Sequence, residues 1–488
     1  MATLVNGALC MMSASSLPKP AALAPDLLEW ILAEHVGVRR PNLERLWRYY
    51  RNAADPDSPA YSSAGRSAQA RGLPARLTRG DANSTREVVI ENDIAWRIHA
   101  LVDFMFGQPL LIQSRAASAG LAEKINHYLS SVFRSNGGES FFHDMALLGS
   151  VYGYADILVR PPVAGQAEAR LELIEAPRAV PVVSPGDYRR LDAYLIHHSQ
   201  LTHELRPVPF LGRVLGRQRS AERKTVDRTE AWTAEGFEVF RGSGDTQGRG
   251  RVRVDGGANR LGRVPVVHIQ NLAQPFYYEG LSDVEALVPL QDELNTRLSD
   301  RANRVTFQSF KMYLGKGIDG FTERPVGPGQ MWATDNPDAS IHEFGGDAST
   351  PSEDQHIREV REAMDKASGV SPIAAGVVGG RTGNLSSENA IRIVLLGLLA
   401  RIEKKRLTYG AGIEQLCEMI LHAADVTGVL PNRAEDRRVR LDWPTPFPDS
   451  EERQLKNALA KKELGVPADQ LLAELGYADC AHREQALV

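Results

Sequence analysis

Residues 376–392, GVVGGRTGNLSSENAIR, set four glycines around Arg381 and Thr382 directly ahead of a helix start, the composition of a loop that could cradle phosphate. A P-loop requires G-x-x-x-x-G-K-[ST] between a strand and a helix, because backbone N–H groups, a lysine and a hydroxyl must converge on one phosphate chain. No lysine follows these glycines, and G-x-G-x-x-G is absent too. The preceding DKASGVSPIAA ends a helix instead of forming a strand. The segment therefore reads as a flexible loop without nucleotide chemistry, with Ser386 as N-cap of the next helix and Glu388 favourably placed at its positive end.

Other residues with chemical potential are equally bland. His197 and His198 are adjacent at a strand end, so they point to opposite faces and are poorly placed to share a metal; they read as structural or solvent-facing. Asp292 with Glu293, and Glu451 with Glu452, fall in helix first turns, where carboxylates stabilise the helix dipole without acid–base work. The chain contains no H-E-x-x-H, no G-x-S-x-G elbow and no EF-hand loop. Cys10, Cys417 and Cys480 lie far apart with no C-x-x-C pair, which supports neither a disulfide framework nor a zinc ribbon and fits a reducing cytoplasm. The expectation is a protein that is not an enzyme, with no cofactor and no metal.

The elements that hold these residues are those of a large globular chain. Its 488 residues suffice for two to four structural units. A 43% hydrophobic, 24% charged composition is that of a packed protein, and a net charge of −4 is unlike the basic surface of a protein that coats DNA. The N-terminus lacks a basic leading region, and AIRIVLLGLLARI is too short and too closely flanked by arginine to span a bilayer, so no membrane association is expected.

After a start expected to be disordered (1–24), PDLLEWILAEHV and NLERLWRYYRNAA carry apolar residues at helical spacing. Residues 52–86 read as an exposed loop bearing Arg66, Arg71, Arg76, Arg79 and Arg86, and VVIENDIAWRIHALVDFMF as a helix ending at Gly107. Two more helices follow, the second passing into a strand at YADILVR, and residues 171–270 form an antiparallel β region with polar loops. From Gly280 a long charged helix carries Leu290, Leu294, Leu298 and Val305, short extended pieces fill 315–350, and SEDQHIREVREAMDKAS makes a second charged helix. A helix continuous from Ser387 to Ala423 would extend about 55 Å at ~1.5 Å per residue, with Ile391, Val394, Leu395, Leu398, Ile402, Ile413, Leu416 and Ile420 as its buried stripe.

The order of these parts resembles the portal proteins of tailed double-stranded DNA bacteriophages, of the siphophage type. ENDIAWRIHALVDFMFGQPLLIQS is similar to the family's early helix with its Phe-Gly-x-Pro turn, and DMALLGSVYGYADILV to its helix-to-strand passage. LGRVPVVHIQN followed by GLSDVEALVPLQDELNTRLSDRANRV resembles the approach to the first stem helix, and ASGVSPIAAGVVGGRTGNLSSENAIRI the tunnel loop and the start of the long wing helix. The arginine-rich insert at 52–86 and the loop at 241–260, RGSGDTQGRGRVRVDGG and its flank, depart from the pattern.

The resemblance implies an α+β, mainly helical portal fold. Its parts would be an α/β wing (25–280), a two-helix stem (281–310 and 351–369), a small α/β clip (311–350), a tunnel loop (370–386), a wing spine helix (387–430) and a short helical crown with a C-terminal tail (431–488). It implies a virion protein, assembled in the host cytoplasm into a ring of about twelve chains at one capsid vertex, the passage for DNA packaging and ejection. Expected partners are further copies of the chain, double-stranded DNA in the channel, the terminase large subunit, head-completion or adaptor proteins, the major capsid protein and scaffold. Val377, Val378, Arg381, Thr382 and Asn384 would form the DNA-facing tunnel loop, and Met331 and Trp332 would serve clip docking. A mildly acidic subunit suits a passage that should not grip phosphate. The charged stem helices, with their narrow apolar stripes, need neighbours to cover them. A DNA-processing enzyme with a metal-carboxylate site assembled from distant residues, and another capsid or scaffolding component, are the alternatives.

Overall fold

The computed structural model describes residues 25–52, 67–78, 87–163, 165–205, 221–243, 251–309, 312–317, 335–344, 350–376, 388–445, 451–466 and Leu471. The chain divides into a large unit, Met1–Phe106 with Ile112–Leu441, and a small one, Gly107–Leu111 with Asp442–Val488.

In the large unit, α1 (Pro25–Glu34) runs through a π-helical turn, His35–Arg39, into α2 (Arg40–Arg51). Pro41 occupies the first turn of α2, where a missing N–H costs no intrahelical bond. Helices α3 (Asp93–Phe106), α4 (Ala119–Ser135) and α5 (Glu139–Tyr152) turn apolar stripes toward one another. Phe106, Phe133, Phe141 and Phe142 interlock there with ring centroids 5.1–6.3 Å apart. Strand β1 (Leu111–Ser114) precedes α4.

Helix α5 passes into β2 (Tyr154–Arg160), the centre of an antiparallel sheet with β3 (Arg170–Ile174) on one side and, from much later in the chain, β9 (Val266–Gln270) on the other. Between them a five-stranded antiparallel meander forms from β4 (Ala179–Ser184), β5 (Asp187–Leu205), β6 (Ala221–Trp232), β7 (Gly236–Ser243) and β8 (Val252–Ala258). Leu158, Ile174, Tyr194, Trp232 and Val266 fill the core common to both sheets.

Helix α6 (Val288–Ser309) leads to the paired strands β10 (Met312–Lys316) and β11 (Ser340–Phe344), and α7 (Pro351–Ser368) returns alongside α6. Helices α8 (Glu388–Val394) and α9 (Leu396–Val426) follow, then β12 (Val439–Asp442), which pairs with β1. Leu398, Ile402, Tyr409, Ile413, Leu416 and Ile420 are fully buried along α9. At Gly412 a Cβ would meet Ile269 Cγ1 at 2.4 Å, so α9 lies closer to β9 than any larger residue would allow. Helix α10 (Glu451–Glu463) belongs to the small unit and leaves Leu455 and Leu459 exposed.

Five sequence expectations need correction. The helix expected from Val88 begins only at Asp93, because residues 87–92 run extended along α6, held by its side chains. The segment read as an exposed arginine loop contains two helical turns, Ala68–Arg71 and Ala75–Thr78, which bury Gln69, Leu73 and Leu77; Arg76 forks onto Asp300 at 2.6 and 2.9 Å. The loop expected at 241–260 includes strand β8. Asp292 and Glu293 stand beyond the first turn of α6 and serve as side-chain acceptors: Asp292 receives the Tyr49 hydroxyl and Glu293 receives Arg297. The spine helix is interrupted at Leu395 (φ −92°, ψ 7°), where Gly397 passes Gly369 so closely that a Cβ on Gly397 would lie 3.3 Å from the Gly369 carbonyl oxygen. Val394 on its expected buried stripe is 38% exposed.

Candidate functional site

The glycine-rich segment that raised the question of phosphate is rooted in a buried polar junction. Helix α7 ends at Gly369, whose φ of +71° is a left-handed cap that glycine adopts without steric cost. A short 3₁₀ turn, Pro372–Ala375, then leads to Gly376. On the far side of the segment, α8 and α9 bring the chain back to the same place. Arg401 on α9 donates from Nη1 to the Ala367 carbonyl at 3.2 Å, closing the last turn of α7, and from Nε and Nη2 to Asp283 Oδ1 at 2.9 and 2.6 Å. One turn further along α9, Lys405 donates to Asp283 Oδ2 at 2.6 Å and to Ser150 Oγ at 2.8 Å.

Asp283 is the hub. Its side chain is fully buried, its backbone N–H donates to the Ser150 carbonyl at 2.9 Å, and Asn271 Nδ2 completes its shell at 2.9 Å. Tyr409 in turn donates to Asn271 Oδ1 at 3.1 Å. Helix α9 and the segment between β9 and α6 thus meet on one carboxylate, with α5 joined to it through Ser150 and α7 through Arg401. Burial opposes its charge, yet the two cations Lys405 and Arg401 hold the Asp283 carboxyl below its ordinary value. Burial also draws the Lys405 ammonium down from its ordinary value, because its one anion is shared with the neighbouring Arg401. A pair so enclosed cannot lose one member without stranding the other, and that is a specific geometric constraint more than a source of net stability.

A second fastening lies along α6. Gln291, Asn295, Ser299 and Asn303 recur every four residues, and each meets the main chain of the extended segment 87–92 or of Asp93, the first residue of α3. Glu87 N–H donates to Asn303 Oδ1 at 2.9 Å, Val89 N–H to Ser299 Oγ at 3.0 Å, Glu91 N–H to Asn295 Oδ1 at 3.0 Å and Asp93 N–H to Gln291 Oε1 at 3.0 Å. Asn303 and Gln291 donate back to the carbonyls of Glu87 and Glu91 at 2.7 and 2.6 Å. The match is geometric: four helical residues rise ~6 Å and two extended residues span ~6.6 Å. Across the opposite flank of α6, Arg301 pairs with Asp354 at 2.7 Å and Arg304 with Glu353, tying α6 to α7.

Of the residues expected to carry function, Val377, Val378, Arg381, Thr382 and Asn384, and likewise Met331 and Trp332, lie outside the described residues. What is described is the frame on either side of each group. His197 and His198 do face opposite ways: His197 is 4% exposed and bonded to Thr229 Oγ1 at 2.9 Å, and His198 is half-buried. Burial, and then Arg251, push His197 down to about 4. Among the described residues no three His, Cys, Asp or Glu side chains converge as metal ligands, and no helix is long and apolar enough to cross a membrane.

Sequence reasoning passed over Asp283, Arg401 and Lys405, although one signal was present. Lys405 falls on the same helical stripe as Leu398, Ile402, Tyr409 and Ile413, and a lysine inside an apolar stripe demands a buried partner. The four-residue recurrence of Gln291, Asn295, Ser299 and Asn303 was the corresponding signal on α6.

Compared with known proteins, the chain matches the family model of phage portal proteins of the SPP1 Gp6-like type over residues 31–476. The chain belongs to that portal family. Among solved structures, similar chains occur in the virion of a native gene transfer agent particle (13% identity, TM-score 0.43, covering 78% of this chain and 89% of that one). Others occur in the neck of an empty particle of the same kind computed with C6 symmetry (13%, 0.44, 79% and 90%) and of a native one computed with C12 symmetry (12%, 0.43, 78% and 89%). No curated protein matches in sequence. In portal terms, the polar junction stands at the root of the expected tunnel loop, and the ladder runs along the first expected stem helix.

Proposed function

We propose that this portal chain works as the subunit of a ring of about twelve copies at one vertex of a phage-like head, through which double-stranded DNA is packaged and later ejected. The observation that carries this reading is the family match across residues 31–476. The junction supports it in kind. A loop that meets moving DNA needs a fixed base, and the helices on either side of segment 377–387 are fastened to each other at Arg401, which bonds the Ala367 carbonyl of α7 from α9 and is itself held by Asp283.

Within that ring, residues 25–280 serve as wing, 281–310 and 351–369 as stem, 311–350 as clip, 387–430 as spine and 431–488 as crown and tail. The loop residues Val377, Val378, Arg381, Thr382 and Asn384 face the DNA, and Met331 and Trp332 in the clip meet the terminase large subunit and then the head-completion proteins. The role is structural, without catalysis. Ile393 (73% exposed), Leu396 (64%) and Leu407 (75%) are large apolar side chains that a neighbouring subunit would cover.

Electron microscopy and mass photometry of the purified full chain test the proposal, with closed rings of about twelve chains around a central hole expected. Only monomers and dimers, or magnesium-dependent nuclease or ATPase activity, would refute it.

A further inference from the structure

The loop Asn271–Leu281 between β9 and α6 has more restraints than a connector needs. Its base is closed by Leu281 N–H donating to the Leu272 carbonyl at 3.1 Å. Gln270 reaches into it, donating to the Tyr277 carbonyl at 2.9 Å and accepting from Gln274 N–H at 3.1 Å. His268 bonds the Tyr278 carbonyl through Nε2 at 2.7 Å and Asp156 Oδ1 through Nδ1 at 2.6 Å, and the Tyr194 and Tyr278 hydroxyls donate to the same fully buried carboxylate.

This scaffold holds Phe276 at φ +71°, a backbone region that a bulky L-residue rarely occupies, with its side chain 83% exposed. Strain of this kind persists only where the surroundings over-determine it, and it accumulates at functional positions. Here it aims an aromatic ring into solvent.

Beside Phe276 runs a groove of about 990 Å³ between β9 and the outer face of α9, floored by Ile269, Pro275, Tyr277 and Leu407 among others. Three arginines, Arg189, Arg190 and Arg263, line it against one acid, Glu418. The lining is thus positive by two charges, and a chain whose total is −4 carries six net negative charges elsewhere.

We propose that Phe276 is the anchor of the contact between neighbouring copies of this chain, inserting into the next subunit while that subunit, net negative outside its own groove, covers the groove. The inference rests on the ring reading above and adds to it the residue and face that make the joint. An identical chain supplies the complementary charge. A duplex fits less well: a projecting phenyl ring has no role against a phosphate backbone, and two net charges are few for phosphate binding. Large exposed aromatics beside an apolar floor are the usual anchors of protein interfaces.

The test compares the full-length protein with Phe276→Ala and Phe276→Gly, following ring dissociation by mass photometry on dilution. Both variants are expected to raise the concentration at which half the chains leave the ring by at least tenfold. Phe276→Gly also relieves the left-handed strain, so its monomer should unfold in urea at an equal or higher midpoint; this separates loss of the joint from loss of the fold. Rings of both variants as dilution-resistant as wild type would overturn the anchor and leave the ring reading intact. Wild-type protein that never leaves the monomer would overturn both. Binding of a labelled 30-base-pair duplex that Phe276→Ala weakens, with ring dissociation unmoved, would reassign the face to DNA and likewise refute the proposal.

Discussion

The junction at Asp283 and the ladder on α6 each fasten parts of the chain that are far apart in sequence, and they do so by opposite means. The junction gathers a fully buried carboxylate, a fully buried lysine and an arginine that keeps 22% of its side chain exposed. The ladder spreads neutral amides and a hydroxyl over four rungs, of which Gln291, Asn295 and Ser299 are fully buried. Charge at a buried hub fixes several elements at one point but fails as a whole when any member is lost. Neutral rungs fix one element along a line, and each rung fails separately. A loop root that must not shift calls for the first arrangement, and a long rod that must stay straight is served by the second.

The largest effect should come from Asp283→Ala, which strands Arg401 and Lys405 and should lower unfolding free energy by about 3–5 kcal/mol in urea titrations. Adding Lys405→Met should restore part of that loss; a double variant no better than the single would show that the junction is not a coupled unit.

Mild acid should leave both fastenings in place, since Asp283 is held below the ordinary carboxylate value and the ladder carries no charge. Stability should nevertheless decline between pH 6.5 and 4 through His197. Its folded value of about 4 means that the unfolded chain takes up the proton first as pH falls. The stability is full above 6.5 and erodes by about 2–3 kcal/mol on the way to 4, at ~1.4 kcal/mol per pH unit. Urea midpoints at pH 7 and 4.5 should differ less in His197→Gln.

Asn295→Ala leaves Glu91 N–H and Gln69 Oε1 without their partner and should cost about 1–3 kcal/mol with the fold retained. Collapse of that variant to the extent of Asp283→Ala would erase the contrast between the two fastenings. The smallest change should be Arg301→Ala, which breaks a partly exposed pair with Asp354 and should shift thermal unfolding by no more than about 1 kcal/mol.

Much of this contrast follows from what periodicity can and cannot express. Helices and strands were legible where apolar residues recur at helical spacing, as at Leu294 and Leu298, or gather in a short run ahead of turn residues, as in YADILVR, whose first six residues are all buried. The extended segment 87–92 was not. Its Val-Val-Ile run fits a helical pattern equally well, and the decision is made by side chains of α6 some two hundred residues away. Likewise the interruption at Leu395 comes where Gly397 packs against Gly369, a contact between the ends of two helices that helical periodicity does not express. The portal family was legible from the order of segments, whereas Asp283 appears as one ordinary acid ahead of an amphipathic helix until the cations on α9 are placed over it.

The ladder has a consequence for which substitutions segment 87–93 can absorb. Its rungs recognise N–H and C=O groups, so they check the spacing of the strap and ignore the identity of its side chains. Val88 and Val89 are therefore open to wide replacement, while proline at 87, 89, 91 or 93 would delete a donor and open a rung. The segment is a tape measure laid against the rod, free in its alphabet at Val88 and Val89 but not at Glu91, Asn92 and Asp93, whose side chains hold Arg361, Gln69 and Trp96.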